Sequence, residues 1–146
     1  MGIYLFSHRC VIIVTMNSYK SALKEGLSLE LYDGEELIFQ SSGKWLYPLF
    51  EVESFLDGRS ADVSSLALHD HIDGKAAAML TVHLGIRRVH SDILSKGALD
   101  IFTKYGVDIS YDALVEKIQC MTEALIGEDM SPSDAYRMLY ERAFKR

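Results

Sequence analysis

Apolar and polar residues alternate most regularly between residues 27 and 39 of the chain. The first run, Leu27-Ser28-Leu29-Glu30-Leu31, is followed by the pair Asp33-Gly34 and then by a second run, Glu36-Leu37-Ile38-Phe39. Alternation with a period of two is typical of a strand with one buried face, and Asp-Gly is typical of a tight hairpin turn. The pattern therefore predicts a β-hairpin.

Apolar residues recur every three or four positions in several other segments, which is the spacing of one face of a helix. A glycine after the last apolar position, or a Ser-Pro pair before the first, marks the ends of such helices. The predicted helices are 18–24, 45–56, 74–84, 96–105 and 135–144, and the segment 114–126 is predicted to be helical in part.

Two further apolar segments, residues 87–93 and 107–111, are predicted strands that alternate with these helices. Strand, helix and strand at this spacing indicate right-handed parallel crossovers. The order of elements predicts an α/β fold in which a mixed sheet begins with an antiparallel hairpin and is flanked by helices.

The segment 63–68 fits two structures. Its apolar residues suit either a short strand or the start of a helix that continues through Gly74. The polar residues 69–71 favour a break before Asp73.

The 146 residues are enough for one domain with a single core. Two apolar runs at the start, 3–6 and 11–14, are split by Ser7-His8-Arg9-Cys10 and fall short of the ~20 apolar residues of a membrane-spanning helix. A cleavage site typical of a signal peptide does not follow them. We predict that residues 1–16 form an extension, either an edge strand or a misassigned start, and that 17–146 form a single domain.

Charge and cysteine content exclude some classes of function. A net charge of −6 is unfavourable for binding duplex nucleic acid, which requires a basic surface. Cys10 and Cys120 lie far apart in the sequence, so neither a zinc knuckle nor a disulfide framework is predicted. We expect a cytoplasmic protein without membrane or duplex nucleic acid partners.

The most unusual segment is Asp70-His71-Ile72-Asp73-Gly74-Lys75-Ala76-Ala77-Ala78. If Asp73 caps the helix that follows, Lys75 lies at the positive end of the helix dipole, where a cation is unfavourable by roughly 0.3 kcal/mol or more. A bound anion would offset this cost, and so would a salt bridge to Asp70 or Asp73. The three alanines indicate close packing of the helix.

Several motifs together resemble a known family. They are the 70–78 segment, Ser95-Lys96-Gly97-Ala98-Leu99, Tyr105-Gly106-Val107-Asp108-Ile109-Ser110-Tyr111 and Cys120-x-x-Glu123. From residue 18 onward the chain resembles a family of small prokaryotic proteins, a domain of unknown function with a cytidine-deaminase-like fold. That family usually has proline after the cysteine, where this chain has Met121. The resemblance implies a three-layer α/β fold.

The resemblance does not imply zinc chemistry. Zinc deaminases carry His or Cys before Ala-Glu at one helix start and Pro-Cys-x-x-Cys at the next. This chain has Lys75-Ala76-Ala77 and Ser95-Lys96-Gly97-Ala98 instead, so zinc deamination is not expected and no cofactor is predicted. The sequence does not match a Walker phosphate loop either. His69 stands in place of the first glycine of that motif, and Ala76 stands in place of its magnesium-binding Ser or Thr.

The resemblance also implies a pocket where two helix N-termini converge. Two lysines and two positive dipole ends favour an anionic ligand such as a nucleotide. Cys120 is better explained as a small buried hydrophobe than as a nucleophile, because no histidine is tied to it in sequence, and Glu123 is equally explained as a solvated helix charge. The expected ligand-binding residues are Asp70, Gly74, Lys75, Ser95 and Lys96, and the candidate catalytic residues are Asp70, Lys75, Cys120 and Glu123.

Three functions follow as hypotheses. The leading one is a domain that binds an anionic, nucleotide-like small molecule in a binding or regulatory role. The second is an enzyme that uses Asp70 and Lys75 as an acid/base pair, with Cys120 as a further participant. The third is an interaction module that assembles through its C-terminal helix, including into a homo-oligomer.

A metal site is a separate alternative. His69 and His71 are two residues apart and would share one face of a strand, with Asp92 or His90 completing the ligand set. Histidines in such patterns are more often structural, so the sequence alone favours a protein without a metal.

Overall fold

The structure is a computed structural model that describes residues 2–6, 10–14, 17–59 and 62–145. Strands β1 (Gly2–Phe6) and β2 (Cys10–Val14) pair as a two-stranded antiparallel sheet. The domain boundary predicted at residue 16 lies outside the described residues. The proposed extension therefore stays a prediction.

A five-stranded mixed sheet forms the centre of the domain. Its order is β4-β3-β5-β6-β7. Strand β3 is antiparallel to both of its neighbours, whereas β5, β6 and β7 run parallel. This arrangement confirms the predicted α/β class and a mixed sheet begun by a hairpin. The strands are β3 (Leu29–Asp33), β4 (Glu36–Ser41), β5 (Leu66–Asp73), β6 (Arg88–Ser95) and β7 (Asp108–Val115).

Four α-helices share one hydrophobic core with the sheet. Leu66 and Leu68 of β5 face this core, while Ala67, between them, packs with Tyr19 and Tyr32 on the other face. In the described chain that other face is covered by a 3₁₀ turn, Ser18–Lys20, where the resemblance implied a full third layer. None of the described helices is long and apolar enough to cross a bilayer. The helices are α1 (Tyr47–Leu56), α2 (Lys75–Leu84), α3 (Lys96–Lys104) and α4 (Pro132–Phe144).

The hairpin turn lies one residue later than predicted. Asp33 pairs with Glu36, so Gly34 and Glu35 are the turn residues. Gly34 has φ +62°, a conformation that suits glycine at the first central position of a tight hairpin turn.

The first predicted helix, 18–24, is much shorter in the structure. It is a single 3₁₀ turn that ends at Lys20, and Ser21 is already extended. The reason is that the buried Tyr19 is anchored to the sheet: its carbonyl oxygen lies 2.7 Å from His69 Nδ1. That carbonyl therefore bonds to the sheet and does not continue a helix.

The ambiguous segment at 63–68 is a 3₁₀ turn, Val63–Ser65, followed by strand β5. The strand continues through the polar residues to Asp73 because it pairs with β3 on one side and β6 on the other. A central strand therefore separates α1 from α2.

The segment 114–126 is not the partly formed helix that its apolar spacing predicts. Strand β7 extends to Val115 because its last residues pair with Ile93, Leu94 and Ser95 of β6. Only a 3₁₀ turn, Glu123–Leu125, follows within this segment. Cross-strand pairing has overridden the local spacing.

Candidate functional site

A cleft of about 390 Å³ opens at the C-terminal end of β5. Its walls are the segment before α1, the start of α2 and the loop before the 3₁₀ turn at Glu123. The C-terminal ends of parallel strands are where α/β sheets commonly bind ligands. The apolar lining residues include Trp45, Leu46, Pro48, Ile72, Ala76, Ala77 and Ile118, and the polar ones include Ser28, Lys44, Asp70, His71, Cys120, Thr122 and Glu123.

Two buried carboxyl groups lie at the base of this cleft. Asp70 lines it with 8% of its surface exposed, and Asp73 is fully buried behind it. Burial raises the pKa of Asp70 well above its usual range, and the adjacent charge of Asp73 raises it further. Burial also raises the pKa of Asp73, to about 6. Both carboxyl groups therefore bind a proton more tightly than they would in water.

Asp73 lies close to two side chains that can donate a hydrogen bond to it, Asp70 and Ser91, and both lower its pKa. The nearby Ser91 hydroxyl donates to the Ile93 carbonyl at 2.8 Å. Among the described residues, no ordinary donor reaches either carboxyl oxygen of Asp73. The carboxyl group of Asp70, when it is protonated, can donate a hydrogen bond to Asp73.

Trp45 lies at the entrance of the cleft in a strained conformation. Its φ is +57°, which is unusual for a bulky residue, and 40% of its surface is exposed. Strained residues of this kind cost about 1–3 kcal/mol and are concentrated at functional sites. Its indole packs edge-on against the ring of Tyr47, with 5.2 Å between centroids.

The N-terminus of α2 already holds an anionic group. Glu123 Oε2 accepts a hydrogen bond from the Lys75 backbone N–H at 2.6 Å, and its Oε1 accepts one from Ser95 Oγ at 3.2 Å. Gly74 leaves room for this contact, because a Cβ at that position would overlap Glu123 Oε2. The carboxylate thus takes the position that the sequence assigns to an anionic ligand.

The two lysines predicted at the pocket point elsewhere. The Lys75 side chain lies over Gly97 of α3 and lines a second cavity of about 430 Å³ beside Asp100 and Glu116. Lys96 Nζ pairs with Glu116 Oε1 at 2.5 Å, and 55% of the lysine side chain is exposed. The side chains of Lys75 and Lys96 therefore do not line the cleft.

Of the remaining predicted residues, one lines the cleft and one caps a helix. Cys120 is half-buried, lines the cleft, and has its Sγ 2.8 Å from Thr122 Oγ1. Ser95 caps α3 by accepting the Ala98 N–H at 3.0 Å. The structure thus brings Asp70, Gly74, Cys120 and Glu123 to one cleft.

Sequence reasoning missed three features of the cleft: the carboxyl pair, Trp45 and Lys44. The sequence suggests Asp73 as a helix cap, yet Gly74 occupies the cap position and Asp73 is buried. Trp45 was assigned to the core of a helix that begins two residues later. The pair Gly43-Lys44 just before the tryptophan was the one available signal of a loop at this point.

His69 and His90 of the metal alternative lie on the opposite face of the sheet, whereas His71 also lines the cleft. Among the described residues, one group of three possible metal ligands is close enough to share an ion: His69, His90 and Asp92, with ligand atoms within 4.8 Å of one another. His71 reaches the second oxygen of Asp92 at 2.9 Å.

The contact between Glu123 and Gly74 gives a first prediction. Gly74→Ala should displace the carboxylate from the Lys75 N–H and lower the free energy of unfolding by about 1–2 kcal/mol, and Glu123→Ala should have a similar effect. Because both substitutions remove the same hydrogen bond, the double variant should lose about 1 kcal/mol less unfolding free energy than the two single variants lose together. Urea unfolding measures these free energies. Glu128→Ala, at an exposed position, is the control. Strict additivity would show that the bond does not stabilise the fold.

The fold and cleft define an α/β domain with a cavity of small-molecule size. Residues 18–142 match the family model described as "TM1506: Domain of unknown function (DUF1893)", so the chain belongs to the DUF1893 family. The crystal structure of a DUF1893 family protein, TM1506 from Thermotoga maritima, is similar to it. That protein is 28% identical, with a TM-score of 0.70, and the match covers 80% of each chain. No curated protein matches the chain.

Proposed function

We propose that this protein binds a nucleotide-like small molecule in the cleft beside Asp70, in a binding or regulatory role. The observation that carries the proposal is a cleft of about 390 Å³ with a mainly apolar lining and a buried carboxyl group at its base. Ligand sites commonly combine such a lining with a few convergent polar groups.

Asp70 and Trp45 indicate which chemical group of a ligand would fit the cleft best. A carboxyl oxygen at the base of an apolar cleft accepts hydrogen bonds from amino or ring N–H groups. The exposed indole of Trp45 offers a surface on which a planar ring can stack. A nucleobase provides both features.

Among the described residues, one lysine or arginine lines the cleft and can meet the anionic part of the ligand. Lys44 is exposed and lines the same cleft as Trp45. A phosphate directed outward would meet this ammonium group, whereas one directed at α2 would have to displace the Glu123 carboxylate. We therefore assign the phosphate contact to Lys44.

The deaminase-like assignment is part of this proposal. A mixed sheet begun by an antiparallel hairpin and extended by parallel crossovers supports it. On that assignment the helix starts that would hold zinc carry Lys75 and Ser95, whose side chains do not form a metal-binding set. The residues therefore do not fit a deaminase zinc ion.

The enzyme alternative is favoured by one observation, the buried carboxyl pair. Asp70 is close enough to Asp73 for a hydrogen bond. Carboxyl pairs that share a proton serve as general acids and bases in other sites. In such an enzyme Asp73, and not Lys75, would be the partner of Asp70 in the acid/base pair.

Thermal shift measurements test the binding proposal. Adenosine, cytidine and their 5′-monophosphates should raise the melting temperature, and Asp70→Asn should lower the affinity at least about tenfold because the acceptor oxygen is replaced or misdirected. Asp57→Asn removes a carboxylate outside the lining and should bind normally. Lys44→Ala should weaken the monophosphates more than the nucleosides.

Two results would contradict the binding proposal. One is that none of the four compounds stabilises the protein, and the other is that Asp70→Asn and Asp57→Asn bind equally well. Conversion of a compound to product, detected by chromatography and lost in Asp70→Asn, would favour the enzyme alternative.

A further inference from the structure

The face of the sheet opposite α2 and α3 carries a polar cluster that the cleft does not use. His69 lies on β5, and its strand neighbour His90 lies on β6. The two rings pack edge-on with 4.8 Å between centroids. Asp92, two residues beyond His90, points to the same face and contacts His69.

His69 is oriented as metal-binding histidines usually are. Its Nδ1 lies 2.7 Å from the Tyr19 carbonyl oxygen, which can only accept, so Nδ1 carries a hydrogen. A backbone carbonyl that fixes one ring nitrogen in this way directs the other nitrogen toward a metal. The imidazole is 1% exposed, so its orientation is fixed by packing.

The second nitrogen of His69 faces a carboxylate at short range. Nε2 lies 2.6 Å from Asp92 Oδ1. In a neutral ring with hydrogen on Nδ1, Nε2 presents a lone pair, and two lone pairs at this distance repel. A second proton between the two atoms would remove this repulsion, and a cation bound to both would remove it once they move apart to about 3.4 Å.

His90 supplies a third ligand next to this pair. Both ring nitrogens of His90 have partners: Nδ1 lies 2.7 Å from Ser110 Oγ, and Nε2 lies 3.0 Å from Oδ1 of Asp112, whose side chain is 67% exposed. Metal binding would therefore replace one of these two contacts. The ligand atoms of the three residues lie within 4.8 Å of one another. Tetrahedral zinc ligands are separated by about 3.4 Å, so side-chain shifts of about 1 Å would close the site.

The surroundings of the cluster are negative and open to solvent on one side. Glu30, which pairs with His69 across the strands, is 1% exposed, and among the described residues its Oε2 has no hydrogen-bond partner. A cavity of about 300 Å³, lined in part by Asp92, Asp112 and Lys24, reaches the cluster from outside. A cation entering there would offset the buried carboxylate charge.

From this geometry we propose a binding site for a divalent transition metal ion such as Zn²⁺, formed by His69 Nε2, His90 and Asp92 Oδ1. Two imidazoles and one carboxylate suit zinc better than calcium or magnesium, which prefer oxygen ligands. Asp92 lines the open cavity, so water can reach an ion bound to its carboxylate. This site lies on the other face of the sheet from Asp70, but its Asp92 contacts His71, which lines the cleft.

Calorimetric titration of the full chain, with any affinity tag removed, tests the site. We expect one Zn²⁺ ion per chain, no comparable binding of Mg²⁺, and a visible Co²⁺ spectrum of tetrahedral type. Asp92→Asn, at a partly exposed position, should weaken Zn²⁺ binding at least about tenfold, and so should His90→Gln. His83→Gln is the matched control, because His83 stacks on Tyr136 on a different element.

Two outcomes would overturn the proposal. The first is Zn²⁺ binding that is weaker than ~100 µM in the parent protein, which would leave a doubly protonated His69 as the partner of Asp92. The second is an equal loss of binding in His83→Gln and Asp92→Asn, which would identify adventitious surface binding. If His90→Gln does not fold, Asp92→Asn decides the question alone.

Discussion

The parent protein is expected to lose stability as the pH rises from 4 to 8, and replacing Asp73 with asparagine should abolish this loss. Burial raises the pKa of Asp73 in the folded protein to about 6 from an ordinary value of 3.8. Because the folded state binds this proton more tightly, the stabilisation is fully present below pH 3.8 and is lost as the pH rises through about 6. A shift of this size corresponds to about 3 kcal/mol.

Urea unfolding of both proteins at several pH values measures this effect. The difference in unfolding free energy between Asp73→Asn and the parent should move in favour of the variant by about 3 kcal/mol from pH 4 to pH 8. The asparagine amide can still donate to Asp70, so the variant should fold. Asp100→Asn, at an exposed position of α3, controls for the loss of one carboxylate. Parallel pH profiles for Asp73→Asn and the parent would contradict a buried, protonated pair.

Enlarging Ala78 is expected to destabilise the fold by a similar amount. Ala78 is fully buried in the second turn of α2, within the core shared by the helices and the sheet. A leucine there adds three carbon atoms to a packed interface, and overpacking of this kind costs about 3 kcal/mol at its upper range. Ser54→Leu, at an exposed position of α1, should change stability by less than about 0.5 kcal/mol. If both leucine variants are equally stable, the alanine run is not a close-packing device.

The sequence predicted the parts of the fold that local spacing controls. The helix over 74–84 ends as expected at Gly85, which has φ +87°, and the last helix begins at Ser131, whose side chain accepts the Asp134 N–H. Capping residues act within one turn, so their effect is visible in sequence. The hairpin likewise depends on its own strands and turn.

Predictions failed where distant residues decide the structure. Tyr19 ends its helix early because its carbonyl bonds to His69, fifty positions away. Residues up to Val115 are a strand because they pair with β6. Neither partner is apparent from the local pattern, and tertiary pairing outweighs propensity in such segments.

The sequence predicted only part of the candidate site, because the rest of the site depends on residues that are distant in sequence. The segment from Asp70 to Ala78 does reach a cleft, and its Gly74 does lie at a helix N-terminus. The direction of Lys75 and the approach of Glu123 depend on α3 and on a loop more than forty residues away. Nor does spacing reveal that Asp70 and Asp73 point at each other, because a regular strand would place residues three apart on opposite faces.

The most direct test of ligand binding is chemical-shift mapping by NMR of the ¹⁵N-labelled chain titrated with cytidine and adenosine 5′-monophosphates. We expect the largest shifts on the backbone amides of residues 43–46, 70–74 and 118–123, which surround the cleft. An absence of shifts at ~1 mM nucleotide, or shifts confined to α3 and Glu116 beside Lys96, would contradict it.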